Sequence, residues 1–208
     1  MKWFSALVLP LLSLVLATAT AQELGPEELV KKVTADVLEA VKNDKDLAAG
    51  NREKALKLAE EKVLPHVDFD EATRLAVGRS WNQASAEQKK RLTAEFRRML
   101  VRTYSSAISA YQGQTMKVMP VRMKPGDTEA TVRNQYIRPG AKPVQIDYTM
   151  HKTDGGWKIY DIVVEGVSLV ITYRSEFDAV VKQEGIDGLI KRIAAKSSPP
   201  AGVGSTAK

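Results

Sequence analysis

The chain contains no cysteine. This excludes disulfides, thiol catalysis, cysteine-ligated zinc, iron–sulfur clusters and a lipid-modified N-terminal cysteine. With only two histidines, there is no basis for a His-rich metal site. No Walker loop, G-x-G-x-x-G, H-E-x-x-H or EF-hand loop occurs. Gly166-Val167-Ser168-Leu169-Val170 lacks the last glycine of a nucleophile elbow, so Ser168 is a poor hydrolase candidate. What remains is an ordinary balance: 208 residues, 44% hydrophobic, 27% charged, with a formal charge of +6. That suits one folded domain and excludes wholesale disorder, collagen-like repeats and a polytopic membrane protein.

Both ends read as lying outside the domain. Met1-Lys2 is followed by an apolar run from Trp3 to Ala17 and then Ala19-Thr20-Ala21, the pattern of an export signal cleaved after Ala21. The run is shorter than the roughly 20 apolar residues of a membrane span. Residues 197–208 are rich in Ser, Pro, Gly and Ala and are expected to form a disordered tail. The expected organisation is a signal peptide over 1–21, one domain over 22–196 and the tail. An exported domain without disulfides must be held by its core alone.

The first half of the domain has helical periodicity. Pro26-Glu27-Glu28 starts a first helix with apolar residues from Leu29 to Val41, and a second runs from about Asn51 to Val63. Asp68 and Glu71 can cap a short third helix ending at Gly78. Ser85 and Gln88 form a capping box before a long helix from Ala86 to Tyr111, about 39 Å at 1.5 Å per residue. Its stripe includes Leu92, Phe96, Met99, Leu100, Tyr104 and Tyr111.

After Gly113 the period becomes two. Strands are expected at 115–123, 128–137, 143–153 and 157–164, with the sheet ending at Glu165-Gly166. A three-residue loop pairing Thr153 with Trp157 would put Tyr160, Ile162 and Val164 on the face of Ile146, Tyr148 and Met150. Two short helices follow, from Ser175 to about Lys182 and from Ile186 to Ala195. Helices followed by strands predict an α+β fold, with helices packed on a roughly four-stranded antiparallel sheet.

Asp147 and His151 share a predicted strand face, and such a pair can perform acid–base chemistry. The pattern puts His151 on the polar face, which favours a surface histidine. His66, at a helix end, would complement the negative terminus if positive. The basic residues are interspersed along amphipathic helices, the signature of a solvated face rather than of nucleic-acid binding. Their excess also suits anionic headgroups or acidic proteins.

Several segments, in order, resemble the MlaC family of periplasmic phospholipid carriers, also called toluene-tolerance auxiliary components of an ABC transporter. They are Leu64-Pro65-His66-Val67-Asp68-Phe69, Gly78-Arg79-Ser80-Trp81 with Ala84-Ser85-Ala86-Glu87-Gln88, Phe96-Arg97 through Leu100 and Tyr104, and Tyr111-Gln112-Gly113-Gln114. The most specific runs from Gly156-Trp157-Lys158-Ile159-Tyr160-Asp161 to Val167-Ser168, and Tyr173-Arg174-Ser175 and Gly185-Ile186-Asp187-Gly188-Leu189 follow. The resemblance implies a non-enzymatic, cofactor-free carrier whose cargo is phospholipid. It also implies a curved sheet enclosing an apolar pocket, and exchange between an inner-membrane ABC transporter complex and an outer-membrane lipoprotein–porin complex that maintains outer-membrane lipid asymmetry. A monomer in the periplasm is expected.

On that reading the lipid-binding candidates are Phe96, Leu100, Tyr104, Tyr111, Ile146, Tyr148, Met150, Tyr160, Ile162, Val164 and Val167. Tyrosines can line an apolar tunnel and keep a hydroxyl at its wet edge. Val167, where the chain leaves the sheet, is the position at which a glutamate is expected to empty the pocket. For every one of these residues the competing reading is ordinary core packing. Competing functions are a periplasmic chaperone for apolar segments, an enzyme of similar fold using Asp147 and His151, and a carrier of a hopanoid or sterol-like lipid.

Overall fold

A computed structural model describes residues 23–109 and 115–197, with backbone alone for 105–109. The proposed signal peptide and the residues beyond Ser197 lie outside the described residues. Six helices and a five-stranded sheet follow in chain order: α1 (Pro26–Asn43), α2 (Lys45–Ala48), α3 (Arg52–Lys62), α4 (Phe69–Val77), α5 (Ala86–Ser109), β1 (Thr115–Val118), β2 (Glu129–Ile137), β3 (Val144–Thr153), β4 (Gly156–Val164), β5 (Val167–Ser168) and α6 (Arg174–Ser197). The α+β expectation holds, with one strand more than the four expected.

The helix starts follow the capping chemistry. The Asp68 carboxylate accepts the Glu71 amide at 2.9 Å, and Asn51 accepts that of Lys54 at 3.0 Å. Ser85 and Gln88 exchange both bonds of the capping box. The short α2, absent from the periodicity reading, is nucleated by Asp44, whose side chain accepts from Asp46 and Leu47. The two expected C-terminal helices are both present: α6 consists of two helical segments that meet at Gly185, where φ is +70° and the backbone is not helical.

The sheet is an open antiparallel meander in the order β1-β2-β3-β4-β5. Strand β1 ends at Val118 rather than Met123, before Pro120, which has no amide proton to give to a ladder. The β3–β4 hairpin is tighter than expected: Thr153 pairs with Gly156 across Asp154-Gly155. A bulge follows, with Thr149 opposite Asp161 and Met150 opposite Ile159. Nor does Glu165-Gly166 end the sheet. With φ values of +49° and +82° it makes the left-handed two-residue turn that joins twisted antiparallel strands, and Val164 pairs with Val167. Glu165 is structural here, since its amide donates to the Gln145 carbonyl at 2.9 Å and its carboxylate accepts the Gln145 amide.

Buried residues fall into three separate clusters. The first joins α4, α5 and α6 around Phe96 and Phe177. The second joins Leu29 and Val30 of α1 to Ala130, Val132, Met150, Trp157 and Ile159 on the inner sheet face. The third joins the end of α1 to α2 and α3.

Nothing lies within 4 Å of a Cβ built on Gly166, so its substitution is a purely conformational test. Gly166→Ala is expected to lower stability by about 1 kcal/mol through its left-handed backbone, measured by urea unfolding. A neutral substitution would contradict the assigned turn.

Candidate functional site

The register sorts the sheet residues onto two faces. Pairings of Asn134 with Ile146, Val132 with Tyr148, Tyr148 with Ile162 and Ile146 with Val164 put these side chains on one inner face. Helix α1 covers one end of it, where Met150 is wholly buried. Toward the other end Tyr136, Val144, Ile146, Tyr148, Ile162 and Val164 are all only half-buried. This apolar strip is the candidate site. Helix α5 packs mainly on α3, α4 and α6.

Tyr148 marks the depth of the site. Burial alone pushes its phenol up to about 12, yet the residue keeps accessible surface. Nearby, Asn134 is fully buried among these apolar neighbours. Its amide nitrogen donates to the Val132 carbonyl at 2.9 Å, and its oxygen has no partner among the described residues. Sequence reasoning missed Asn134, although it occupies an inward position in the alternation of Ala130, Val132 and Tyr136.

The candidates therefore divide. Ile146, Tyr148, Ile162 and Val164 share the half-open strip. Val167, cross-strand partner of Val164, is 58% exposed at its rim. Met150 is on the same face but enclosed beneath α1. Tyr160 is a correction. Because of the bulge it joins the opposite face, where its hydroxyl donates to Glu129 at 2.8 Å and its ring meets His151 edge-on. Burial, then the Glu129 bond, pushes its phenol up to about 12. Phe96 reaches no open surface, and its ring packs edge-on against Tyr173 and Phe177. Leu100 borders the same helical core. Tyr104 is exposed and bonded to Tyr173, whose phenol is raised by burial and by that bond. Tyr111 lies outside the described residues.

Asp147 and His151 do not form a pair. Four residues along a strand separate them by about 13 Å. His151 instead bonds the Asp68 carboxylate at 2.9 Å, joining β3 to the cap of α4. Asp147 accepts from the Gln145 amide nitrogen at 3.0 Å. For His66, burial and the nearby Lys158 and Lys32 disfavour the positive form that the sequence reading invoked. Among the described residues no group of three His, Cys, Asp or Glu side chains could hold a metal, and no helix is long and apolar enough to cross a membrane.

An open antiparallel sheet with helices against it and a half-buried apolar strip on its inner face fits a protein that binds an apolar ligand. The MlaC protein family matches residues 31–195, and the chain belongs to that family. It is 21% identical over 202 residues to the intermembrane phospholipid transport system binding protein MlaC of Haemophilus influenzae, covering 96% of this chain and 94% of that protein. It is 24% identical over 173 residues to the toluene tolerance protein ttg2D of Pseudomonas putida, covering 83% and 79%. A solved phospholipid-binding protein from Ralstonia solanacearum, in complex with a phospholipid, superposes with a TM-score of 0.75 at 36% identity, over 82% of this chain and 96% of that one.

Tyr148 supplies a pH test. Its raised pKa means that the fold favours the neutral phenol. That contribution is complete below the ordinary value near 10 and is lost as pH rises through about 12. Tyr148→Phe should therefore gain stability relative to the parent above pH 10, read from urea midpoints at neutral and alkaline pH. An equal difference at both would contradict the burial of the Tyr148 phenol.

Proposed function

We propose that this protein is a periplasmic carrier that takes the acyl chains of a phospholipid onto the strip formed by Ile146, Tyr148, Ile162 and Val164. The observation that carries the reading is the phospholipid bound to a homologue 36% identical over most of the chain. The half-buried apolar strip on the inner sheet face supports placing the acyl chains there. Burying acyl chains is strongly favourable, at about 0.8 kcal/mol per CH₂. The polar headgroup would remain near the rim at Val167, where hydration is retained.

Carriage needs no covalent step, and the protein is proposed to act without catalysis. Residues 1–21 would direct export and be removed after Ala21. In the periplasm the carrier would exchange lipid with an inner-membrane ABC transporter complex and an outer-membrane lipoprotein–porin complex, sustaining outer-membrane lipid asymmetry. Because the acyl chains bind strongly, release requires a partner-bound state that disfavours the loaded strip.

Mature protein purified without detergent, extracted with organic solvent and examined by mass spectrometry should yield near-stoichiometric phospholipid. Val167→Glu should reduce that yield several-fold. Because Val167 is largely exposed, the glutamate costs the fold little, and a loss of lipid reports binding. A parent that yields no phospholipid and takes none from vesicles would overturn the proposal, as would a variant that carries the parental amount.

A further inference from the structure

A second concave surface lies between α3 and α5, outside the apolar strip. It is a groove of about 470 Å³ that follows α3 from Arg52 to Glu60 and reaches Leu64 just beyond the helix. Its apolar floor includes the half-buried Leu56, Leu64 and Val101. Arg52 on one helix and Arg97, Arg98 and Arg102 on the other stand along it; Glu60 is the lining acid, Arg98 is also paired with Glu95 at 2.9 Å, and Arg97 lies over the Phe69 ring. The walls are partly organised: Arg52 donates to the Arg102 carbonyl at 3.4 Å, and Arg102 donates to the Ser197 carbonyl at 3.1 Å.

We propose that this groove docks an acidic, amphipathic polypeptide segment of a partner protein. The charge is distributed rather than convergent. Arg97, Arg98 and Arg102 span more than one turn of α5, and Arg52 faces them from α3, so one phosphate is a poor match to the set. A planar bilayer cannot reach the floor of a groove between two helices. A peptide does both, placing carboxylates against the guanidinium groups and apolar side chains on Leu56, Leu64 and Val101. Residues 198–208 contain no Asp or Glu side chain to pair with these arginines. The inference stands apart from the cargo reading, because none of the strip residues lines the groove.

The test uses the mature protein and a fluorescent helical peptide of about 15 residues, carrying leucines two turns apart with flanking glutamates. Its binding is followed by anisotropy at low and high salt. Saturable, salt-sensitive binding is expected, weakened about tenfold or more in the double variant Arg52→Glu, Arg98→Glu. Arg52→Glu places an acid in the first turn of α3, which helices favour, and circular dichroism verifies the fold. Arg52→Gln with Arg98→Gln gives a milder second variant and should weaken binding in the same direction. Arg138→Glu with Lys142→Glu makes the same charge change in the β2–β3 turn and should leave binding nearly unchanged. Equal losses in the groove and turn variants would overturn the site, as would no saturable binding of the peptide. Groove-dependent sedimentation with phosphatidylglycerol vesicles, without peptide binding, would reassign the surface to lipid.

Discussion

The inner face of the sheet carries more apolar surface than α1 covers, and much of the structure follows from that mismatch. Helix α1 lays Leu29, Val30 and Val33 on the sheet, while Val37 and Val41 turn toward α2 and α3. Its 18 residues extend about 27 Å, so it crosses the sheet once and is committed elsewhere by its last turns. Among the described residues the strip from Val144 to Val164 stays half-buried, with Tyr148 and Ile162 packed at the edge of the cluster beneath α1. Apolar surface kept from its own core is a standing cost in water, and a bound acyl chain removes that cost.

The two halves of the molecule are held together by polar links at the sheet edge rather than by one continuous core. Asp68 is the main joint. Its side chain caps α4 and bonds His151, while its amide donates to the Ile159 carbonyl at 2.8 Å. Lys158 adds a bond to the Pro65 carbonyl at 2.7 Å. At the other end of β4, the buried Asp161 accepts from the amides of Ile162 and Val170 and from the Ser168 hydroxyl, fixing the chain between β5 and α6. These bonds set the helical module beside the sheet.

The helices were legible because their signals are local. Capping residues and a 3.6-residue period do not depend on distant parts of the chain, and the cap at Asp68 and the box at Ser85 formed as read. The sheet was legible in its alternation but not in its irregularities. A bulge shifts every following side chain to the other face, and nothing in Met150 or Tyr160 announces it, so Tyr160 was assigned to the wrong face. Phe96 illustrates a different limit. Its helical spacing fits both a packed core and a lining residue, and only the positions of Tyr173 and Phe177 separate the two. Likewise Asp147 and His151 share a strand face, but the partner that His151 finds is 83 residues away at Asp68.

The claim at the centre of this account is that the half-buried apolar strip is where cargo lies. A phospholipid with a photoreactive diazirine in one acyl chain, loaded into the mature protein and irradiated, tests it most directly when the labelled residues are sequenced by tandem mass spectrometry. The account predicts adducts on Ile146, Tyr148, Ile162 and Val164. Adducts confined to the groove of Leu56 and Val101, or scattered over the outer sheet face, would contradict it.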